Sequence, residues 1–347
     1  MVRWLREWSA EIAGFAILTL FLWITQGRTD PLNQLRLPFP LQVPASVETF
    51  STLFLSIFIE GIPFILIGVL VSGLIQVYVR EETIWRLIPR KRIFAIPMAA
   101  TLGIFLPVCE CGIVPITKRL IQKGMPTYTA FTFLLAAPVI NPVTITSTYI
   151  AFGSDWNMTV SRMALTILIA CTMGFLISIF LSGNPLRENR NEHHCCEHRD
   201  KQRDPHHPNP FPEDRLGHAL YHGIFEFMNM GKYFVAGAAV AALFQTWIGL
   251  SAIHDFAQYG WVATLFMMGL AFGLSLCVSA DAFVAASFRS VMPSAPVLAF
   301  LVFGPIMDLK NLLMMAENFR PKVVRMMFVG TFVLTLVAVE LWKTFGF

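Results

Sequence analysis

The sequence is poor in charge: Asp, Glu, Lys and Arg together make up 14% of its 347 residues. Soluble domains carry about 25% charged residues. The mean hydropathy of the chain is +0.61 and 55% of its residues are hydrophobic. An ordinary soluble protein is therefore excluded, and the composition predicts an integral membrane protein.

Motifs of enzymes and of ATP-driven pumps are also missing. The sequence contains no G-x-x-x-x-G-K-[ST] loop for nucleotide phosphates and no H-E-x-x-H zinc motif. No Ser/His/Asp arrangement indicates hydrolysis. We therefore predict no cofactor and no enzyme activity, and we expect an ion gradient or the membrane potential to supply energy.

Long apolar runs take up most of the chain. About 20 helical residues cross a hydrocarbon core of roughly 30 Å, and the runs that are long enough predict spans at 9–26, 50–79, 127–152, 158–182, 218–249, 295–318 and 324–345. The first run follows Arg3 and Arg6, and a signal peptide competes with an anchor there. Because no small-residue cleavage site stands out after it, we predict an uncleaved N-terminal anchor helix.

Two further apolar stretches, 93–117 and 259–288, are interrupted by prolines, glycines or polar residues. The loop between the second span and 93–117 contains five basic residues, and the positive-inside rule therefore places this loop in the cytoplasm. They are Arg80, Arg86, Arg90, Lys91 and Arg92. If 93–117 dips into the membrane and returns, the basic residues that follow it stay in the cytoplasm as well. We therefore predict a broken, re-entrant hairpin with PVCECGIVP at its tip, which is tolerated where the backbone is buried in protein or lines a cavity.

This unit occurs twice in the sequence. Cys109, Cys111, Pro138 and Asn141 correspond to Cys277, Ser279, Pro305 and Asp308, at offsets of 168 and 167 residues. Three full crossings in each half make the second copy inverted relative to the first, an arrangement typical of secondary transporters. We predict an all-α polytopic membrane protein with two inverted structural repeats, each with a re-entrant or broken helical hairpin, plus the anchor helix.

The predicted organisation has four parts. Residues 1–48 form the anchor helix and an external loop, and 49–182 form the first permease repeat. Residues 183–217 form a cytoplasmic linker, and 218–347 form the second repeat.

The two predicted tips hold the candidate binding site. Polar groups at membrane depth are costly and usually mark a substrate or ion path. The candidate substrate-binding residues are Cys109, Glu110, Cys111, Asn141, Cys277, Ser279, Asp281 and Asp308. The alternative for the cysteines is a role as small buried hydrophobes, which we favour for the isolated Cys171.

A Cys-x-Cys-Gly tip that is followed by a proline, together with the segment APVINPVTI, resembles the predicted permeases grouped with the arsenical permeases, which include methylarsenite exporters. The resemblance covers 50–182 and 218–345. It implies an inner-membrane permease, and the transported solute varies within the group. Members often have Ser or Thr between the cysteines, so Glu110 is a departure that favours a cationic over a neutral substrate.

The linker offers a separate indication of soft-metal chemistry. It reads HHCCEHRDKQRDPHH at 193–207 and holds five of the eight histidines. Imidazole and thiolate suit Zn and Cu, so we predict metal binding by His193, His194, Cys195, Cys196 and His198. A solvated connector that happens to be rich in histidine is the alternative.

The combined interpretation is a multi-pass permease of the cell (inner) membrane. It would export a thiophilic metal ion or a trivalent metalloid or organoarsenical through a site at the repeat interface. Permeation of another small solute, such as a sulfur compound, and a membrane thiol oxidoreductase that uses Cys109 and Cys111 are the alternatives. The predicted partners are the substrate and the lipid bilayer, with no nucleic acid, and a homodimer is left open.

Overall fold

A computed structural model describes residues 45–78, 88–89, 91–104, 109–181, 183–187, 212–247 and 260–344. The chain divides into two compact units, residues 1–52 and 53–347. In the described part of the first unit, the hydroxyls of Ser51 and Thr52 donate hydrogen bonds to the carbonyl of Glu48. All other contacts reported below lie within the larger unit.

The described residues form twelve α-helices and no β-sheet. In chain order they are α1 Ala45–Tyr78, α2 Arg92–Thr101, α3 Glu110–Gln122, α4 Thr127–Ala136, α5 Pro142–Ala151, α6 Trp156–Phe180, α7 Pro212–Trp247, α8 Gly260–Leu274, α9 Val278–Ser287, α10 Ser294–Ile306, α11 Leu309–Asn318 and α12 Pro321–Thr344. Short 3₁₀ turns follow α2 and α9.

Four helical segments among the described residues are long and apolar enough to cross a membrane: Val47–Ile75, Trp156–Phe180, Ser294–Asn318 and Pro321–Thr344. On α12 an exposed apolar stripe repeats every fourth residue, at Val329, Val333, Val337 and Leu341. Such a stripe on a membrane helix suits contact with lipid. The chain is an all-α polytopic membrane protein, as the sequence predicted.

Two shorter helices form the core of the larger unit. Residues 129–136 of α4 and 295–306 of α10 are buried without interruption. Helix α4 packs against α2, α3 and α6, and α10 packs against α8, α9 and α12. A helix that is apolar on every side belongs in the interior, and these two occupy corresponding places in the predicted repeats.

The halves contact each other through α6, which packs on α10 and α12, and through the short helices. Helix α5 of the first half packs on α9 of the second, and α11 of the second packs on α3 of the first. The two contacts exchange corresponding elements, as expected of two related halves facing each other. The opposite orientation of the halves in the membrane and the domain boundaries stay predictions.

The breaks in the irregular stretches are confirmed. Helix α3 begins at Glu110 after the N-cap Cys109, and α9 begins at Val278 after the N-cap Cys277. Re-entry of these hairpins into the membrane stays a prediction. The anchor at 9–26 and the histidine-rich tract at 193–207 lie outside the described residues.

The sequence predicted spans at 127–152 and 295–318, and the structure divides each of them into two helices. The second stretch, Ser294–Asn318, is still among the segments long and apolar enough to cross a membrane. Helix α4 ends at Ala136 and α5 begins at Pro142, while α10 ends at Ile306 and α11 begins at Leu309. A proline cannot donate the helical hydrogen bond and disfavours helix at the preceding residue. Pro138 therefore interrupts the first span, and Pro305 accompanies the end of α10 in the second.

Candidate functional site

Four helices begin around one cavity of about 240 Å³. They are α3, α5, α9 and α11, and their N-cap residues are Cys109, Asn141, Cys277 and Asp308. Each half of the chain contributes two of the four. The positive ends of the helix dipoles therefore meet at this cavity from both repeats.

The caps of α5 and α11 share one geometry. Oδ1 of Asn141 accepts a hydrogen bond from the backbone N–H of Thr144 at 2.8 Å. Oδ1 of Asp308 accepts one from the N–H of Asn311 at 2.6 Å. Asn and Asp are among the strongest N-cap residues, so both side chains have a structural role. Each lies at the second break of its half, which is the break between α4 and α5 in the first half and between α10 and α11 in the second.

The start of α3 places a buried carboxyl group between two thiols. Cys109 and Cys111 lie within hydrogen-bonding distance of each other and both line the cavity. Glu110 also lines the cavity and is 1% exposed. Its Oε2 atom has no hydrogen-bond partner among the described residues, and it is therefore available to a ligand.

The second tip adds a thiol from the opposite half. Sγ of Cys277 accepts a hydrogen bond from the N–H of Ala280 at 3.4 Å, and the thiol lies beside the carboxyl group of Glu60 in α1. Cys277, Ser279 and Glu60 all line the cavity. Thiols from both halves, each with a carboxyl neighbour, therefore face the same space.

A buried lysine completes the site. Lys310 in the first turn of α11 lines the cavity and is 3% exposed. Its Nζ lies 3.8 Å from Oδ2 of Asp308, which is longer than a hydrogen bond. Glu110 also lies near enough for an electrostatic interaction with it. The cavity wall therefore carries both signs of charge.

Glycines bring the long helices close to these tips. A side chain at Gly68 of α1 would collide with the backbone of Gly112, next to Cys111. A Cβ at Gly237 of α7 would lie 3.0 Å from Cα of Lys310. In each half, a glycine thus lets the long helix support the start of a site helix.

Asp281 lies in a separate buried contact. Its carboxylate accepts hydrogen bonds of 2.8 and 3.1 Å from Nη2 of Arg162 in α6. Nη1 of the same arginine donates to the hydroxyl of Thr148 in α5 at 2.6 Å. The pair joins the first half to the second, and Asp281 is not among the residues that line the cavity.

The structure brings six of the eight predicted binding residues to the cavity: Cys109, Glu110, Cys111, Asn141, Cys277 and Ser279. Asp308 is buried behind Lys310, and Asp281 pairs with Arg162. Whether any of the eight binds a substrate stays a prediction. The candidate metal ligands of the linker lie outside the described residues, within which no group of three His, Cys, Asp or Glu side chains could hold a metal ion.

Sequence reasoning left three residues out of the predicted site or its supports. They are Lys310 and Glu60, which line the cavity, and Arg162, which pairs with Asp281. The signal for Lys310 was present in the repeat alignment, where Val143 holds the corresponding position. A single arginine in the apolar run of α6 should likewise have indicated a buried partner.

Comparisons with known proteins agree with this architecture. Residues 46–343 match the family described as "Predicted permease", ArsP_1, whose name refers to the arsenical permeases. The UPF0718 protein YcgR of Bacillus subtilis is 41% identical over 302 residues, which cover 86% of this chain and 98% of that protein.

A second relative comes from Streptococcus mutans and is named as a candidate subunit of a two-component membrane permease complex. It is 36% identical over 295 residues, which cover 85% of this chain and 95% of the relative. No solved structure matches the chain. The chain is a multi-pass membrane protein that belongs to the predicted permease family.

Proposed function

We propose that this permease exports a thiophilic solute, a soft metal ion or a trivalent metalloid or organoarsenical, through the cavity between the two halves. The observation that carries the proposal is that three thiols line one cavity. In this structure the three do not form a group that could hold a metal ion, so a soft ion bound by all of them would require them to move closer together. Cys109 and Cys111 come from the first half and Cys277 from the second. Thiolates select soft ions and metalloids over hard ones.

Alternating access follows from where the halves touch. The interhalf contacts α5–α9 and α3–α11 flank the four helix starts. If one half rocks against the other, the cavity opens to one side while its ligands stay together, as in transporters with inverted repeats. The solute would enter from the cytoplasmic side and leave outward.

Serine variants test the thiols directly. Cys109→Ser and Cys111→Ser change only sulfur to oxygen, so folding should survive while soft-ligand binding is lost. We expect either variant to abolish transport of arsenite or silver(I) into everted membrane vesicles, and Cys277→Ser to reduce it by less. Cys171→Ser is the matched control, since this thiol lies in α6 outside the cavity lining.

Two results would contradict the proposal. Normal transport by the Cys109→Ser/Cys111→Ser double variant at wild-type protein levels would mean that the two thiols only pack in the protein interior and do not bind the solute. Trapping of a mixed disulfide during turnover, with no solute flux, would favour a membrane thiol oxidoreductase that uses the neighbouring Cys109 and Cys111.

The linker tract has a proposed role of its own. His193, His194, Cys195, Cys196 and His198 would load a soft ion on the cytoplasmic side before transport. Replacing all five by Ser should slow transport at low substrate concentration and leave the rate at saturation. Complete loss of transport at normal expression would place the tract in the translocation site.

A partner subunit is proposed from the Streptococcus mutans relative, whose name assigns it to a two-component complex. This chain would then work with a second membrane protein. Mild detergent extraction of the tagged protein, followed by mass measurement of the intact complex, tests this: a second polypeptide in constant ratio supports it, and the chain alone or as a homodimer contradicts it.

A further inference from the structure

The proposed function leaves open which soft solutes fit, and three features of the cavity bear on that. Lys310 lines the space, Oε2 of Glu110 has no hydrogen-bond partner among the described residues, and four helix N-termini lie around the same cavity. The thiols alone would accept any soft ion. The other three features discriminate among them.

The ammonium group of Lys310 has more hydrogen-bond donors than the acceptor beside it can satisfy. A lysine carries three donor hydrogens, while the acceptor that pairs with this one, Oδ2 of Asp308, is 3.8 Å away. The side chain is 3% exposed, and a buried charge with spare donors needs a hydrogen-bonding partner. An oxygen of a bound solute would supply that partner.

The helix starts act in the same direction. Each is the first turn of a helix of ten residues or more, and such ends favour oxyanions and other groups with negative charge. A bare cation would face four positive helix ends and one ammonium group, together with the carboxyl groups of Glu60 and Glu110. An oxygen of the solute would be stabilised by the helix ends and the ammonium group, and a hydroxyl could also donate to a carboxylate.

Glu110 complements this arrangement. Its Oε2 is buried at the cavity with no partner among the described residues. A carboxylate oxygen accepts hydrogen bonds, and a hydroxyl on the solute supplies one. The solute that suits Lys310 and Glu110 together therefore carries oxygen as both acceptor and donor.

We infer that Lys310 and Glu110 form an oxygen-binding subsite beside the thiols, which selects soft solutes that bear hydroxyl or oxyanion groups over bare metal cations. This inference rests on the proposed function: Cys109 and Cys111 would each form a bond to the soft atom and displace one hydroxyl of a trivalent metalloid as water, and the hydroxyl that remains would lie in the subsite. It reverses the expectation that Glu110 favours a cationic substrate. Lys310 becomes the residue that sets specificity.

The corresponding residues of the first half indicate which substitutions test the subsite. Asn141 and Val143 occupy the positions of Asp308 and Lys310. The double variant Asp308→Asn/Lys310→Val therefore copies the first half, keeps a good N-cap and removes the lysine together with the carboxylate nearest to its ammonium group. Lys310→Arg keeps the cation and is the matched control.

The experiment measures binding of arsenite, which carries hydroxyls, and of silver(I), which carries none, to the purified full-length protein by equilibrium dialysis. A charged hydrogen bond contributes enough that its loss should weaken arsenite binding about ten- to a hundredfold. Silver(I) binding should change less than about threefold. Lys310→Arg should retain most of the arsenite affinity.

The outcomes separate the subsite from the proposed function. Equal loss for both probes, or no loss for arsenite, would overturn the subsite while the thiol site stands. If the wild-type protein binds neither probe, the proposed function fails and the subsite falls with it. Should the double variant not fold, Lys310→Gln gives the same comparison, with a smaller expected loss of arsenite affinity.

Discussion

The two halves place the same helix starts around the cavity but divide the chemistry between them. The first half contributes Cys109 and Cys111 with the carboxyl group of Glu110, and its second break carries the neutral pair Asn141 and Val143. The second half contributes one thiol, and its second break carries Asp308 and Lys310.

This division separates what the fold requires from what the substrate requires. The N-caps of α5 and α11 use the same bond from the residue three positions on, so the duplicated backbone needs a capping side chain at both places. The fold does not require Lys310, because Val143 serves at the matching position. The backbone plan that the halves share therefore does not account for Lys310.

A similar asymmetry holds the halves together. Arg162 of α6 and Asp281 of α9 form a buried ion pair, and Ile113 occupies the position of Asp281 in the other half. Arg162→Met leaves a buried carboxylate without its cation. We expect about 3–5 kcal/mol of lost stability, measured as thermal unfolding in detergent.

Two comparisons test that assignment. Arg162→Met/Asp281→Leu removes both charges and should recover most of the stability, because a matched apolar pair can replace a buried ion pair. Arg289→Met breaks an exposed pair with Asp155 at 3.3 Å and should cost less than about 1 kcal/mol. An Arg162→Met protein that melts with the wild type would remove the interhalf pair as a stabilising element.

The sequence predicted which residues lie together better than it predicted the helices around them. The Cys-x-Cys tip and the 168-residue offset placed six of eight candidate residues at one cavity. Hydropathy could not reveal the breaks after Ala136 and Ile306, since both flanking helices are apolar and buried. The signal for those breaks was a proline close to an Asn or Asp cap.

The remaining misses concern partners. Asp281 and Arg162 are 119 residues apart in sequence, and only the folded chain brings them together. The sequence shows Asp281 only as an acidic residue beside a repeated motif, and its role in substrate binding stays a prediction. Tertiary packing decides such pairs, and a single sequence carries no signal for them.

The glycine supports differ between the halves in how much room they leave. A Cβ at Gly68 would collide with the backbone of Gly112, which cannot move without shifting α3. A Cβ at Gly237 meets Cα of Lys310 at 3.0 Å, a contact that a small shift relieves. Overpacking costs about 1–3 kcal/mol, and we expect Gly68→Ala to lie at the upper end and Gly237→Ala at the lower.

Thermal unfolding of the Gly68→Ala and Gly237→Ala variants tests this expected order of destabilisation, and silver(I) binding tests its effect on the site. Gly68→Ala should weaken silver(I) binding as well, because α3 carries Cys111 beside Gly112. Gly231→Ala is the control, since no atom lies within 4 Å of a Cβ at that position. Equal effects at Gly68 and Gly231 would mean that α1 does not position the thiol helix.

The N-cap at Asn141 should give the smallest change and test the shared backbone plan by itself. Its side chain accepts from Thr144 and donates to the carbonyl of Pro138 at 2.9 Å. Asn141→Ala loses both bonds and should cost about 1 kcal/mol, whereas Asn141→Asp keeps the cap and should change thermal unfolding by less than half as much. Asn141→Asp also adds a carboxylate beside the cavity, so arsenite binding should weaken while folding holds. Equal melting temperatures for the alanine and aspartate variants would show that the second break of the first half holds without its cap.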